Sequence, residues 1–215
     1  MSDRICLFGA GGHGRVIAAQ IKAKTPRIDI CFGDGNTPLG TLVNGYPVAF
    51  QTPHSVTGAQ LIVAIGDNAI RAKLQGSAED AGIQITHFIA EPYRYFAADP
   101  GAGSVVLAGA VVTCDVQIGK GAIVNSGAVV EHDSVLGDFC HIASGAVLSG
   151  GSRLGDRVFV GSGAQIINQS RIVAGAVIGA GATVVRDITE PGIYVGTPAR
   201  LLRNLPGAGI AGSTP

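Results

Sequence analysis

The sequence predicts a chain in two parts, an α/β unit of the half-Rossmann type followed by a parallel β-helix. Two observations carry this prediction: an aliphatic residue recurs at every sixth position through the second half, and a glycine-rich turn follows the first apolar segment. A third agrees with both, because 33 of the 215 residues are glycine, which is about twice the usual share. Abundant glycine beside valine, isoleucine and alanine predicts short buried strands joined by tight turns.

The repeat of six residues defines the C-terminal part. Its fourteen consecutive aliphatic positions are Val106, Val112, Ile118, Val124, Val130, Leu136, Ile142, Leu148, Leu154, Val160, Ile166, Ile172, Ile178 and Val184. An amphipathic helix repeats its apolar face about every 3.6 residues, so a period of six excludes one. Six residues suit a short strand plus a corner, and three such units close one triangular coil of about 18 residues. The aliphatic side chains are expected to point inward.

The N-terminal part alternates strands and helices in the order expected of a parallel sheet. A strand at residues 4–8 leads into the turn Gly9-Ala10-Gly11-Gly12-His13-Gly14. The other predicted elements are helices at 15–24 and about 69–81 and strands at 28–32, 60–65 and 83–89. We therefore expect an α/β domain at 1–95, a β-helix domain at 96–205 and a flexible tail at 206–215, with residues 90–103 forming the junction and the first irregular coil.

The turn Gly9-x-Gly11-x-x-Gly14 matches the dinucleotide-binding fingerprint, with Asp34 about 20 residues beyond it. Its glycines let backbone N–H groups and a helix N-terminus approach a phosphate closely. A hydride-transfer enzyme needs a second mononucleotide half and a substrate domain, and about 95 residues ahead of the repeat are too few for both. One nucleotide of a sugar donor fits this length better than NAD, and a purely structural turn is the remaining alternative.

The charges and cysteines exclude several classes of protein. Fifteen basic and fifteen acidic side chains cancel, which argues against a surface for nucleic acid or anionic lipid. Cys6, Cys31, Cys114 and Cys140 show no CxxC spacing. The N-terminal residues, followed directly by a predicted strand, do not have the pattern expected of a secretory signal, and no apolar segment approaches the ~18 residues of a membrane span. We expect a cytoplasmic protein with reduced, buried thiols and with neither a membrane nor a nucleic-acid partner.

Side chains that could take part in catalysis are concentrated around His132. Residues that are 18 apart in the sequence occupy the same place in successive coils. They should therefore stack in a column, with about 4.8 Å between neighbours. This column consists of His132, Gly150, Asn168 and Arg186. Gly150 leaves space for the imidazole, and its N–H is open to a developing oxyanion. A base beside an open amide is what acyl transfer requires, with Asp133 or Glu131 orienting the ring. The alternative is a solvated corner histidine without a function.

His141 lies one corner further round the coil. It is a candidate to hydrogen-bond an acetyl carbonyl or to contact CoA, and the alternative is a structural role at a strand end. Two histidines in the repeat also raise the question of zinc, but such a site needs three that converge across an interface. No third histidine lies in register, so no metal is expected.

Four segments together resemble one family. They are the turn at 9–14, Ile65-Gly66-Asp67-Asn68-Ala69-Ile70-Arg71, Asn125-Ser126-Gly127-Ala128-Val129-Val130-Glu131-His132-Asp133, and Val195-Gly196-Thr197-Pro198-Ala199-Arg200. Over roughly residues 4–203 the sequence resembles the bacterial nucleotide-amino-sugar N-acetyltransferases of bacillosamine and perosamine synthesis, together with the related sialic acid O-acetyltransferases.

The resemblance implies a left-handed β-helix and a homotrimer with acetyl-CoA between adjacent subunits. His132 would be the catalytic base, with Asp133 and the Gly150 amide as its partners. The acetyl-CoA path would include His141, Gly150, Ser162 and Ala180. The nucleotide sugar would contact Gly11, Gly12, His13, Asp34, Gly35, Gly66 and Asn125. Some relatives carry Glu at position 133 and Asp-Asp at 34–35, which leaves open how Asp133 reaches the ring and which nucleotide is bound.

The predicted function is acetyl-CoA-dependent N-acetylation of a nucleotide-linked 4-amino-4,6-dideoxysugar by direct attack on the thioester. The alternatives are O-acetylation of a sialic-acid-like sugar, a non-catalytic hexapeptide-repeat binding protein, and an NAD-dependent reductase. The sequence does not distinguish a UDP-, dTDP- or GDP-linked substrate.

Overall fold

The N-terminal part is a five-stranded, mostly parallel sheet flanked by helices. The computed structural model describes residues 4–91 and 94–205. In chain order this part contains β1 (Arg4–Phe8), α1 (Gly12–Lys24), β2 (Asp29–Gly33), β3 (Leu42–Val43), β4 (Tyr46–Phe50), β5 (Gln60–Val63) and α2 (Asn68–Asp80). A 3-10 turn at Pro53–Ser55 precedes β5. The sheet order is β3-β4-β2-β1-β5, with β1 central and parallel to β2 and β5.

Three features differ from the sequence prediction. The edge hairpin β3–β4 was not predicted, although Asn44-Gly45 at its turn is a strong hairpin signal. The predicted strand 83–89 is divided, because Ile85 bridges Leu61 of the α/β sheet while β6 (Phe88–Ile89) pairs with the β-helix. Cys114 is exposed, whereas the other three cysteines are buried as expected.

The repeat of six forms the predicted coils, with one two-residue strand in every hexad. The fourteen strands are β7 (Val105–Val106), β8 (Val111–Val112), β9 (Gln117–Ile118), β10 (Ile123–Val124), β11 (Val129–Val130), β12 (Val135–Leu136), β13 (His141–Ile142), β14 (Val147–Leu148), β15 (Arg153–Leu154), β16 (Phe159–Val160), β17 (Gln165–Ile166), β18 (Arg171–Ile172), β19 (Val177–Ile178) and β20 (Thr183–Val184). Each strand ends on the counted aliphatic residue, and none of these side chains is more than 8% exposed.

The coils stack into three parallel sheets, which form the faces of a left-handed β-helix. The docking face contains β6, β7, β10, β13, β16 and β19, and ends with the hairpin β21 (Gly192–Val195) and β22 (Arg200–Asn204). The second face contains β8, β11, β14, β17 and β20, and the third contains β9, β12, β15 and β18. Val130 lies opposite Leu148, so one coil is 18 residues, as predicted.

The corners share one backbone geometry, a residue in the left-handed region at every sixth position. Most are glycines, but Asp115, Asp133 and Gln169 are among those that are not. Asp tolerates this conformation better than most residues because its short side chain hydrogen-bonds locally. The repeat therefore places Asp133 at a corner with its side chain directed outward.

The α/β sheet packs on the docking face through one shared core. Leu7, Ile17 and Phe32 are buried in the same cluster as Val105 and Ile123 of the coils. The junction enters the first coil, as predicted, since Tyr95 bridges Val112. The predicted tail at 206–215 lies outside the described residues.

Candidate active site

His132 is held by the residue that follows it. Asp133 has φ 61°, and its Oδ2 lies 2.8 Å from His132 Nδ1. Because a carboxylate only accepts, Nδ1–H donates, and Nε2 is the unprotonated nitrogen of the neutral ring. This hydrogen bond, with the Asp133 and Glu131 charges, raises the pKa of His132 above its usual value. His132 is thereby a more basic imidazole with an accessible Nε2, and its side chain is 59% exposed.

Of the two candidate acids, Asp133 makes the contact with the ring. Glu131 Oε2 instead lies 3.5 Å from Thr113 Oγ1. The shorter Asp side chain reaches Nδ1 directly, because the left-handed corner turns it back towards the preceding residue. The question that the sequence left open is answered by this backbone geometry.

Gly150 lies against His132, one coil further along the column. A Cβ built on Gly150 would stand 2.6 Å from His132 Cε1 and Nε2, so only glycine fits beside the ring in this position. Gly151 N–H donates to His132 O (2.7 Å), and Gln169 N–H donates to Gly150 O (2.9 Å), which ties the corners together. Within residues 4–91 and 94–205, the Gly150 N–H itself donates no hydrogen bond. A base therefore lies beside an unused amide.

The column continues upward with Asn168 and Arg186, both exposed. Ser162 and Ala180 also lie in one column, at the corner between the docking and second faces, and both are exposed. Gly181 N–H donates to Ser162 O (2.9 Å), which joins these two corners.

His141 occupies a different environment from His132. It is 8% exposed on the docking face, between Ile123 and Phe159 of the neighbouring coils. Its Nδ1–H donates to Gly66 O (3.2 Å) and its Nε2 accepts from Asn125 Nδ2 (3.2 Å), so both ring nitrogens have protein partners. Burial lowers the pKa of His141 to about 4. The ring is therefore neutral at physiological pH and links the coil to the α/β sheet.

Except for Asn125, which follows β10 of the coils, the predicted sugar-binding residues gather at the carboxyl ends of β1, β2 and β5, the usual ligand edge of a parallel α/β sheet. Gly11 and Gly12 are exposed at the start of α1, and a Cβ on Gly11 would meet no atom within 4 Å. His13 is half-buried, its ring centroid 6.2 Å from that of His141, and burial lowers its pKa to about 4. Gly66 follows β5 and joins this edge to His141.

Asp34 organises the loop after β2. Its Oδ2 accepts from Ala10 N–H (3.0 Å), and its Oδ1 accepts from the N–H groups of Asn36 (2.9 Å) and Thr37 (3.0 Å). Burial alone would raise the pKa of Asp34, but these hydrogen bonds outweigh it and lower the pKa. Asp34 and the adjacent Gly35 thus lie beside the glycine turn, and the hydrogen bonds of the Asp34 carboxylate shape the loop.

Two cavities adjoin this edge. One of about 540 Å³ is lined by Asp34, Gly35, Gln51, His54 and Lys73, among others. Another of about 630 Å³ lies between Gly66 and the docking face and is lined by His141, Phe159 and Val177. Sequence reasoning did not single out Gln51, His54 or Lys73, because they come from separate loops and a helix with no shared spacing.

The two halves of the predicted site are not brought together within one chain. His132 lies at the corner where the second and third faces meet, and this corner is opposite the docking face. Gly66, His13 and His141 lie on the docking-face side. One chain thus presents the His132 imidazole at one side of the coil and the predicted sugar-binding edge at the other.

In the part of the chain that the structure covers, no three His, Cys, Asp or Glu side chains are grouped to hold a metal ion. Neither α1 nor α2, nor any other helix among the described residues, is long and apolar enough to cross a membrane.

Family comparisons match both parts of the chain. Residues 4–77 match the model of the PglD N-terminal domain, and residues 115–150 match the bacterial transferase hexapeptide repeat. Comparison with curated proteins gives no significant match.

Solved structures match over almost the whole length. The acetyltransferase domain of PglB from Neisseria gonorrhoeae is 36% identical, with a TM-score of 0.87 over 93% of this chain and 100% of that one. It has also been solved with acetyl coenzyme A. PerB from Caulobacter crescentus, solved with CoA and GDP-perosamine, is 33% identical, with a TM-score of 0.78 over 92% and 96%. WeeI from Acinetobacter baumannii is 28% identical, with a TM-score of 0.80 over 92% and 99%.

Proposed function

Because the chain belongs to the hexapeptide-repeat family of nucleotide-amino-sugar N-acetyltransferases, we propose that it acetylates the amine of a nucleotide-linked 4-amino-4,6-dideoxysugar. Acetyl-CoA is the proposed donor. Support comes from the likeness to the PglB domain solved with acetyl coenzyme A and to PerB solved with CoA and GDP-perosamine. The observation that carries the proposal is the position of the His132 imidazole beside the unused N–H of Gly150.

The proposed reaction is a direct attack on the thioester. The sugar amine forms a bond to the acetyl carbonyl carbon while His132 Nε2 accepts a proton from the amine. The Gly150 N–H stabilises the negative charge that develops on the carbonyl oxygen. Collapse of the tetrahedral intermediate breaks the carbon–sulfur bond, and CoA leaves as the thiolate, which takes the proton from the His132 imidazolium and restores the free base. The products are an amide and free CoA.

Asp133 has a supporting role in this proposal. Its carboxylate keeps the proton on Nδ1, so that the free electron pair is on Nε2, and it stabilises the imidazolium that forms. The raised pKa of His132 makes the ring a stronger base.

The proposed active site is shared between copies in a homotrimer. The opposite placement of His132 and the ligand edge is the reason, since a neighbouring chain must supply one half. A threefold arrangement lets the His132 corner of each chain approach the docking-face side of the next. Acetyl-CoA would then lie between chains, along Gly150 of one and Ser162 and Ala180 of the other, with His141 lining the acyl end of the cavity.

The nucleotide sugar is proposed to bind at the carboxyl edge. The N-terminus of α1 offers the N–H groups of Gly12 and His13 to a diphosphate. The loop at Asp34 and Gly35 borders the cavity of about 540 Å³ for the nucleoside. Gly66 and Asn125 lie where the sugar would pass towards the coils.

The test is a panel of UDP-, dTDP- and GDP-linked amino sugars, incubated with acetyl-CoA and a thiol reagent that reports free CoA. We expect one nucleotide amino sugar to give CoA release and a product heavier by one acetyl group. Hydroxylamine treatment then separates amide from ester. A labile acetyl group would contradict N-acetylation and favour the O-acetyl alternative, and no release with any amino sugar would contradict the proposal.

A further inference from the structure

Arg71 of α2 is a fully buried arginine with backbone carbonyls as its main partners. It is 1% exposed. Its Nε donates to Gly121 O (2.7 Å), and its Nη2 donates to Phe139 O (2.8 Å) and Cys140 O (3.3 Å). Its Nη1 donates to Ile65 O (2.9 Å) and Gly66 O (3.2 Å). One guanidinium therefore joins the loop after β5 to two successive coils.

The charge of Arg71 has no direct acidic counterpart. Among residues 4–91 and 94–205 it forms no ion pair within 4 Å. Burial lowers its pKa to about 10, so it remains protonated at neutral pH. Burying a charge in this way is costly unless every N–H is hydrogen-bonded, and the planar fork of arginine satisfies several carbonyls at once.

Arg71 is the centre of a polar stripe that matches the spacing of the coils. Asn68 Nδ2 donates to Arg157 O (3.1 Å) and Val158 O (3.2 Å), and Gln75 Nε2 donates to Ala102 O (3.0 Å). Glu79 pairs with Lys120 (3.2 Å). A helix rises about 1.5 Å per residue, and coils are about 4.8 Å apart, so one face of α2 spans three to four successive corners.

This match fixes the height of the α/β sheet on the β-helix. A shift by one coil would move α2 by about 4.8 Å and would break the contacts of Asn68 and Arg71 together. Gly66 O is held from both sides, by Arg71 Nη1 and His141 Nδ1. The position of the ligand edge along the coil axis is therefore set by Arg71.

We infer that Arg71 is a positioning residue for acetyl transfer, holding the Gly66 edge at the height where a bound amino sugar meets the catalytic base. The inference rests on the proposed function. Reacting atoms must approach to roughly 3–3.5 Å, and a misplacement of about 1 Å costs on the order of 100-fold in rate. A residue that only stabilised the fold would lower the amount of folded protein and leave kcat per folded site unchanged.

The experiment compares Arg71→Lys and Arg71→Met with Glu79→Gln in the full-length protein. Glu79→Gln breaks a half-exposed ion pair on the same face of α2, far from Gly66, and is the matched control. kcat and both KM values are measured per folded chain, with circular dichroism and thermal unfolding as checks. We expect Arg71→Lys to lower kcat by about 10- to 100-fold, with KM for acetyl-CoA within about twofold. Glu79→Gln should keep the unaltered kcat.

Hydrogen exchange of the amides at 65–68 is measured on the same proteins. Faster exchange in Arg71→Lys and unchanged exchange in Glu79→Gln are expected. A variant that keeps full kcat with only a lower unfolding temperature would overturn the inference. If the unaltered protein acetylates no amino sugar, the proposed function fails instead. The hydrogen-exchange measurement still tests whether Arg71 holds the Gly66 edge in place. Unchanged protection of the amides at 65–68 in Arg71→Lys would overturn that claim.

Discussion

The Cα of Gly150 faces the imidazole of His132 so closely that a Cβ would lie 2.6 Å from two ring atoms. Gly150→Ala should therefore displace the ring without straining its own backbone, because φ at Gly150 is not positive. We expect kcat to fall by roughly 100-fold while the protein stays folded. Asn168→Ala, one coil further in the same column, is the control and should change kcat little. Equal activity of Gly150→Ala and the control would contradict the packing argument.

Replacing His132 tests the base itself. His132→Asn keeps a polar side chain at the exposed corner but cannot accept the proton at neutral pH. Loss of a general base typically costs about 10²- to 10⁴-fold in kcat. Thermal unfolding and CoA binding should be unaltered, because His132 is 59% exposed. Turnover at the unaltered rate would show that His132 does not act as the base.

Asp133→Asn tests the origin of the raised pKa. Asn also tolerates the left-handed corner, so the fold should be kept while the carboxylate charge is lost. The hydrogen bond that His132 Nδ1–H donates to Asp133 raises the pKa of His132, and the base acts only when unprotonated. Its removal should therefore move the acidic limb of kcat/KM to lower pH and reduce the plateau, by less than His132→Asn does. If the acidic limb of kcat/KM does not move, a group other than Asp133 raises the pKa of His132.

Buried histidines should make the fold sensitive to mild acid. Burial lowers the pKa of His141 from 6.5 to about 4, so the unfolded chain binds the proton first. The neutral ring therefore contributes to the free energy of unfolding above about pH 6.5. This contribution, at most about 3 kcal/mol, is lost as the pH falls towards 4. His141→Gln should flatten the pH dependence of the unfolding temperature over that window. The exposed His54→Gln is the control for losing one imidazole, and identical profiles for the two variants would contradict this account.

The coils were predictable from the sequence because each hexad specifies its own strand. All fourteen strands end on the counted aliphatic residue, and the placement of Gly150 beside His132 followed from the 18-residue coil. A local repeat is enough to predict this fold because each coil packs only against the coils next to it.

Features that depend on docking between the two parts were not predictable. Arg71 is polar and lies in an ordinary helix, so nothing local indicates that it is buried against carbonyls of residues 121 and 139. The strand predicted at 83–89 looked continuous, but Ile85 and Phe88 pair with different sheets. The choice of Asp133 over Glu131 depended on a backbone conformation that the hexad pattern does not reveal.

The most direct test of the central claim, a site shared between chains, is complementation between two inactive variants. One is His132→Ala. The other is Gly11→Glu, whose side chain enters open space at φ −75° and places a negative charge where the diphosphate would bind. Both are co-expressed with different tags, and mixed assemblies are purified through both tags.

A shared site needs His132 from one chain and an unaltered Gly11 edge from its neighbour. In every trimer purified through both tags, one of the three sites combines the two, so the mixed assemblies should regain about one third of the unaltered activity. Activity no higher than that of the two parent variants, in mixtures shown to contain both chains, would contradict the account.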